Sequence, residues 1–222
     1  MEIGHEKRTG KLILVRHGQS HGNVGRRLET RVPGPRLTER GAEQAARFAD
    51  GVTGSPRLFC STALRAQQTA AHIESVVRTP VTVLPGVQEV QAGALEGLET
   101  DTARAVFHQT YQRWHEGELD LAVPGGETGH EVLDRYLPVL EELRARHLPA
   151  GGGTDVIVVS HGMAMRLAAG AITEVPTAFA ARTRLDFTHT IELVPRYSAG
   201  EFTGWECTRW GENVPPFDPA TA

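Results

Sequence analysis

Two short runs constrain this chain more than anything else in it. Residues 12–15 read LILV and residues 156–159 read VIVV, and each run leads into a histidine followed by a glycine, in RHG at 16–18 and SHG at 160–162. A strand with one face in water alternates apolar and polar side chains. A strand that is apolar throughout has to be covered on both faces, as in a mostly parallel sheet packed between helices.

The rest of the chain supplies the helices. RLFCS at 57–61 and VTVLPGV at 81–87 read as further strands. Thr38 is a good N-cap for ERGAEQAARFADG, with Gly51 at its end. LRAQQTAAHIESVV places Leu64, Ala71 and other apolar residues at helical spacing. Thr100 caps a segment, ARAVFHQTYQRWHEG, that is polar nearly all round and is expected outside the main core. EVLDRYLPVLEELRAR and MAMRLAAGAI are helical, the first with a kink or early start at Pro138. RLDFTHTIELVP and FTGWECTRW alternate like strands near a sheet edge, a surface that a homodimer would use. The expected fold is α/β, a three-layer α/β/α sandwich on a mostly parallel central sheet. It is read as one domain over 1–222, with a lid-like insertion at about 98–124 and a poorly ordered, proline-rich tail at 211–222.

Bulk properties exclude several partners. The 222 residues carry a net charge of −4, without the basic excess that a nucleic-acid polymer or an anionic membrane demands. No stretch reaches the roughly 20 apolar residues of a membrane span. The start, MEIGHEKRTG, has no apolar core of a secretory signal, so a cytoplasmic location is expected. The two cysteines, Cys60 and Cys207, fit inert thiols in a reducing compartment, with a disulfide as the alternative. No cysteine or histidine spacing suits zinc.

Ligands of a parallel sheet bind beyond the carboxyl ends of its strands. If the two His-Gly strands are neighbours, His17 and His161 stand side by side there. The glycines let the chain turn and bring backbone N–H groups toward an anion, and the helix after His161 points its N-terminus the same way. Arg16 adds a permanent cation with a planar donor fork. Arg65, on the first turn of a helix, and Glu89, opening the loop after the third strand, reach the same rim. Two histidines, two arginines and a carboxyl suit phosphoryl transfer: a histidine nucleophile, cations on the phosphoryl oxygens, and a glutamic acid to protonate the leaving oxygen. Neither metal nor cofactor is called for.

With those residues in view, the chain resembles branch 1 of the histidine phosphatase superfamily, the phosphoglycerate mutase-like family. The matching motifs are RHGQS, LRAQQTA, EVQAGALEG, PGGET and the second His-Gly strand, in that order over residues 13–162. The resemblance implies that His17 is the phosphorylated nucleophile and Glu89 the proton donor. It implies that Arg16, Asn23, Arg65, His161 and Gly162 bind the phosphate. Gln19 stands where glutamate is more usual, Leu95 where an aromatic is frequent, and VGRRLETRVPGPRL departs from the family pattern. Gln19, Ser20, His21, Arg26 and Arg27 are the candidates for substrate contact, Arg26 and Arg27 facing either a second anionic group or solvent. Glu96 is read as a loop-structuring residue. Tyr111 and Trp114 either line a lid or pack it down. His108 and His115 are read as a polar surface face.

The implied activity is metal-independent hydrolysis of a small phosphorylated metabolite: a sugar phosphate, a phosphoglycerate derivative or a nucleoside phosphate. The alternatives are a cofactor-dependent phosphoglycerate mutase and a non-catalytic phospholigand-binding module. Such mutases carry a longer insertion than the 35 residues between Glu89 and Gly125. A decayed binding module loses the nucleophile or the acid, and both are present here.

Overall fold

A computed structural model describes residues 9–218. Most of the MEIGHEKRTG stretch and the last residues of the expected tail lie outside the described residues. Six strands form one sheet in the order β3-β2-β4-β1-β5-β6. They are β1 (Leu12–Arg16), β2 (Arg57–Ser61), β3 (Val81–Leu84), β4 (Val156–Ser160), β5 (Thr190–Ser198) and β6 (Glu201–Trp210). β1 to β4 are parallel to one another; β5 and β6 are antiparallel additions. The two all-apolar runs are neighbours at the centre. Leu12 pairs with Val156 and Arg16 with Ser160, so the next residues out, His17 and His161, come together.

The side chains of these strands divide between two apolar clusters. Val15, Ile157 and Val159 pack with Ala49, Ala66, Ala70 and Ile73 of α2 (Glu39–Asp50) and α3 (Leu64–Val77). Leu12, Leu14, Val156 and Val158 pack into the larger cluster. That cluster is covered by α4 (Asp101–His115), α5 (Gly129–His147), α6 (Gly162–Ile172) and α7 (Thr177–Arg182). The burial of β4 at every position, and of Leu12, Leu14 and Val15 on the two faces of β1, is what the unbroken apolar runs require. Among the described residues no helix is long and apolar enough to cross a membrane.

Several local expectations change. The loop after β1 contains a one-turn helix, α1 (His21–Val24). In α3 the buried face is Arg65, Ala66, Thr69, Ala70 and Ile73, while Ala71 is exposed. The stripe is rotated because the helix turns Arg65 inward at the price of exposing an alanine. α4 belongs to the core. Ala103, Phe107, Tyr111 and Trp114 recur at helical spacing and are buried, the three aromatics in the larger cluster. The charged residues between them hid that stripe. Tyr111 donates to the Met163 carbonyl and Trp114 to that of Leu121, so both pack α4 down. α5 runs through Pro138 and starts at Thr128, whose hydroxyl caps it in a capping box with Glu131. Beyond β6, Phe217 still packs against Phe179, with ring centroids 5.1 Å apart.

Candidate active site

His17 directly follows β1 and is 4% exposed. Its Nδ1 lies 2.7 Å from its neighbour's carbonyl, Gly18 O, an atom that can only accept. Nδ1 therefore carries the proton, and Nε2 presents its lone pair to Arg65 Nε–H at 3.0 Å. Burial, followed by the charges of Arg65 and Arg16, holds the His17 pKa well below the ordinary histidine value, so the imidazole is neutral. The ring of His161 is 5.1 Å away in an edge-on arrangement. Its Nδ1 faces Arg65 Nη2 at 3.1 Å, and its Nε2–H points to Ser61 Oγ at 2.9 Å. His161 is also driven well down, chiefly by burial. One guanidinium thus bridges two neutral histidines.

The glycine after His17 has a different reason from the expected one. A Cβ on Gly18 would lie 2.4 Å from the Gly41 carbonyl oxygen, so it lets the start of α2 close against the strand end. The Gly18 N–H is taken by Thr69 Oγ1 at 3.1 Å rather than held for a ligand. Gly162 does line the cavity; a Cβ there would press on the Arg16 side chain.

Arg16 stacks its guanidinium 4.3 Å from the Phe187 ring centroid and donates to the Leu185 carbonyl. Burial lowers its pKa to about 10, which leaves it charged at neutral pH. Its buried Nε and the buried Nη1 of Arg65 have no hydrogen-bond partner among the described residues. Such donors are uncommon in folded proteins. Both belong to cavity-lining side chains, and an anion in the cavity would satisfy both.

Glu89 sits at the first turn of α6. Its carboxylate accepts from the backbone N–H groups of Met163 (3.2 Å), Ala164 (2.9 Å) and its own neighbour Val90 (3.0 Å). Its loop is clamped from behind by Arg135 of α5, which donates to the carbonyls of Gly86 (2.7 Å), Gln88 (2.9 Å) and Glu89 (3.2 Å). Arg135 is held in turn by Glu127 at 2.6 and 2.9 Å, and Glu127 also accepts from Gln91 N–H. The PGGET turn therefore supports the Glu89 loop. The backbone of that turn also crowds Gly93, where a Cβ would meet Gly126 N at 2.2 Å. Glu96 accepts from Thr30 N, Thr30 Oγ1 and Arg31 N, and so fixes the loop after α1.

These groups line a cavity of about 370 Å³. Of the residues expected in the site, Arg16, His17, Ser20, Asn23, Arg26, Arg27, Arg65, Glu89 and Gly162 line it, with His161 fully buried behind His17. The Asn23 amide oxygen accepts from Ser20 N and Oγ, which leaves its N–H groups for the cavity. Gln19 and His21 are not brought to it: the Gln19 side chain takes the Thr38 hydroxyl at 3.0 Å, and His21 is exposed on α1. Arg104, His108, Arg166, Arg184, Asp186 and Phe187 line the cavity without having been expected. His108 is thus no plain surface residue. Its four-residue offset from Arg104, beside the buried stripe of α4, is the one signal that pointed inward. Nothing local marks residues 184–187. Seven arginines and three carboxylates line the cavity, so a chain with net charge −4 concentrates positive charge here. Among the described residues no three or more His, Cys, Asp or Glu are grouped to hold a metal ion.

A family model described as histidine phosphatase superfamily (branch 1) matches residues 12–208. The chain is 29% identical over 182 residues to a metal-independent phosphoserine phosphatase of Arabidopsis thaliana, covering 80% of this chain and 74% of that protein. It is 34% identical over 163 residues to a 2,3-bisphosphoglycerate-dependent phosphoglycerate mutase of Methylobacterium radiotolerans, covering 70% and 75%. Among solved structures it resembles a mycobacterial glucosyl-3-phosphoglycerate phosphatase, with TM-score 0.78 and 26% identity over 93% of this chain and 100% of the other.

Proposed function

The chain belongs to branch 1 of the histidine phosphatase superfamily and is a phosphatase of small phosphorylated metabolites, and we propose that it works through a phosphohistidine on His17 with Glu89 as acid and base. The observation that carries this is the His17 tautomer. Nδ1–H is fixed on a backbone carbonyl, and an unprotonated Nε2, which accepts from Arg65, is left as the nucleophilic nitrogen beside the arginine-lined cavity.

When the phosphoryl group enters, Arg65 turns its N–H groups from the histidines to the phosphoryl oxygens, joined by Arg16 and Asn23. The Nε2 lone pair attacks phosphorus in line, forming the N–P bond as the ester P–O bond breaks. The leaving oxygen takes the proton of protonated Glu89. Water then attacks the phosphohistidine and gives its proton to the Glu89 carboxylate. Inorganic phosphate leaves and His17 is regenerated. Cationic side chains neutralise the transferring group throughout, so the reading needs no metal. Cys60 and Cys207 are buried free thiols pushed up to about 12, chiefly by burial, which leaves both inert and outside the chemistry.

The test is p-nitrophenyl phosphate hydrolysis in EDTA, wild type beside His17→Ala, with an alkaline denaturing quench of a radiolabelled phosphoester to trap the phosphoprotein. Turnover in EDTA and an acid-labile phosphoenzyme, both lost in His17→Ala, are expected. A variant that keeps its rate would sink the nucleophile assignment. Phosphoryl transfer to 3-phosphoglycerate without release to water would mark a mutase.

A further inference from the structure

A second basic group lines the same cavity and takes no part in the steps above: Arg104 on α4, Arg166 on α6 and Arg184 in the α7–β5 connection. Arg166 is only 6% exposed. Its guanidinium donates to two backbone carbonyls, Ala180 O (3.2 Å) and Ala181 O (2.6 Å), and lies 5.1 Å from the centroid of the Tyr111 ring. Among the described residues neither Arg166 nor Arg184 makes an ion pair with a carboxylate. The Arg104 guanidinium is shared with exposed Asp101, which Arg26 also contacts at 3.0 Å. Arg184 Nη2 donates to His108 Nε2 at 3.1 Å, which joins α4 to the α7–β5 connection across the group. Burial, followed by the charges of Arg184, Arg166 and Arg104, holds His108 down at about 4.

A buried permanent cation answered only by neutral carbonyls is costly unless an anion completes it. Arginine forks match carboxylate and phosphate oxygens, and an uncharged substrate tail would leave these forks unpaired. We propose that Arg104, Arg166, Arg184 and His108 form a second anion subsite, and that the substrate is a phosphomonoester whose organic part carries a second anionic group, a carboxylate or another phosphate. This rests on the phosphatase reading and narrows its substrate class. It also makes the subsite a discriminator, because it selects against esters of the same size without the second charge.

The test compares kcat/KM in EDTA for three esters: 3-phosphoglycerate, fructose 1,6-bisphosphate and glycerol 3-phosphate. The first and last share a three-carbon frame and differ in carboxylate against hydroxymethyl. Wild type is expected to favour at least one of the two esters with an anionic tail by about tenfold or more over glycerol 3-phosphate, the size of one lost charged hydrogen bond. Preference for phosphoglycerate marks a carboxylate; preference for the bisphosphate marks a phosphate. In Arg184→Met, a substitution at an exposed position, that ratio should fall toward one, mainly through KM. Parity in wild type, or a preference that survives both Arg184→Met and Arg104→Met, would overturn the subsite. A binding arm separates this from failure of the phosphatase reading. Calorimetry on His17→Ala protein should show phosphoglycerate bound at least tenfold tighter than inorganic phosphate, even if wild type turned over no ester. Equal affinities would overturn the subsite independently.

Discussion

Arg135→Met tests whether the clamp behind Glu89 matters to chemistry or only to folding. The substitution keeps the aliphatic stem and removes every donor. It deletes three hydrogen bonds to the carbonyls of residues 86, 88 and 89 and both contacts to Glu127. The Arg135 and Glu127 side chains are 16% and 18% exposed, so the pair lies between a surface salt bridge and a buried one. At about 1 kcal/mol per carbonyl and a further ~1 kcal/mol for the ion pair, the loss is about 4 kcal/mol before water replaces some partners, and about 3 kcal/mol after. A domain with 5–15 kcal/mol of stability, roughly, stays folded. A catalytic group displaced by about 1 Å can lose on the order of a hundredfold in rate. That loss should fall on leaving-group protonation. With kcat/KM measured for an alkyl phosphate and for p-nitrophenyl phosphate, the alkyl ester should lose about tenfold more. Arg135→Lys should recover part of the stability through Glu127 but little of the alkyl rate, since one ammonium cannot span three carbonyls. Equal losses on both esters would refute the positioning argument and leave Arg135 a purely structural residue.

Glu89→Gln should show the same asymmetry more strongly, about a hundredfold or more on alkyl esters and much less on the aryl ester; equal losses would assign Glu89 another role. Acid should weaken the fold before its carboxylates titrate. His108 and His115 are lowered to about 4, chiefly by burial, and His17 and His161 are also held well below the ordinary histidine value, chiefly by burial. The native state therefore holds neutral imidazoles, while the unfolded chain binds protons near pH 6.5. Stability is complete above that pH and is lost as the pH falls toward the native values. Discounted for partial exposure, His108 and His115 alone should each lose about 1–2 kcal/mol between pH 6.5 and 5. Urea midpoints at pH 7 and pH 5 read this directly, and identical midpoints would contradict it.

The parts of this molecule legible in the sequence are those where local pattern and global role coincide. The uninterrupted apolar character of β1 and β4 can only be satisfied at the centre of a sheet, which brings His17 and His161 together across 144 residues. Thr38 and Thr100 announce their helices because a cap acts within three residues. What could not be read depends on distant partners. Arg135 is one charge among many on α5, and its importance lies in carbonyls 46 to 49 residues away. Gly18 looks like a ligand-facing glycine, but the constraint is the α2 backbone. The stripe of α4 was diluted by arginines and histidines that turn out to face a cavity. Arg166 and Arg184 gain meaning only once α6 and the end of α7 lie beside α4.

The strand order carries a consequence for how the molecule is made. β4 lies between β1 and β2, pairs with both, and is buried at every position. A ribosome releases β1, β2 and β3 long before it, so the nascent chain has to wait with a slot in the middle of its sheet. Until residues 156–160 fill that slot, His17 has no neighbour and Arg65 has only one histidine to bridge. Pairing of such long sequence separation is slow relative to local helix formation. Assembly of the proposed phosphate site and completion of the sheet are therefore the same late event, and a chain cut before β4 should have no partial activity to offer.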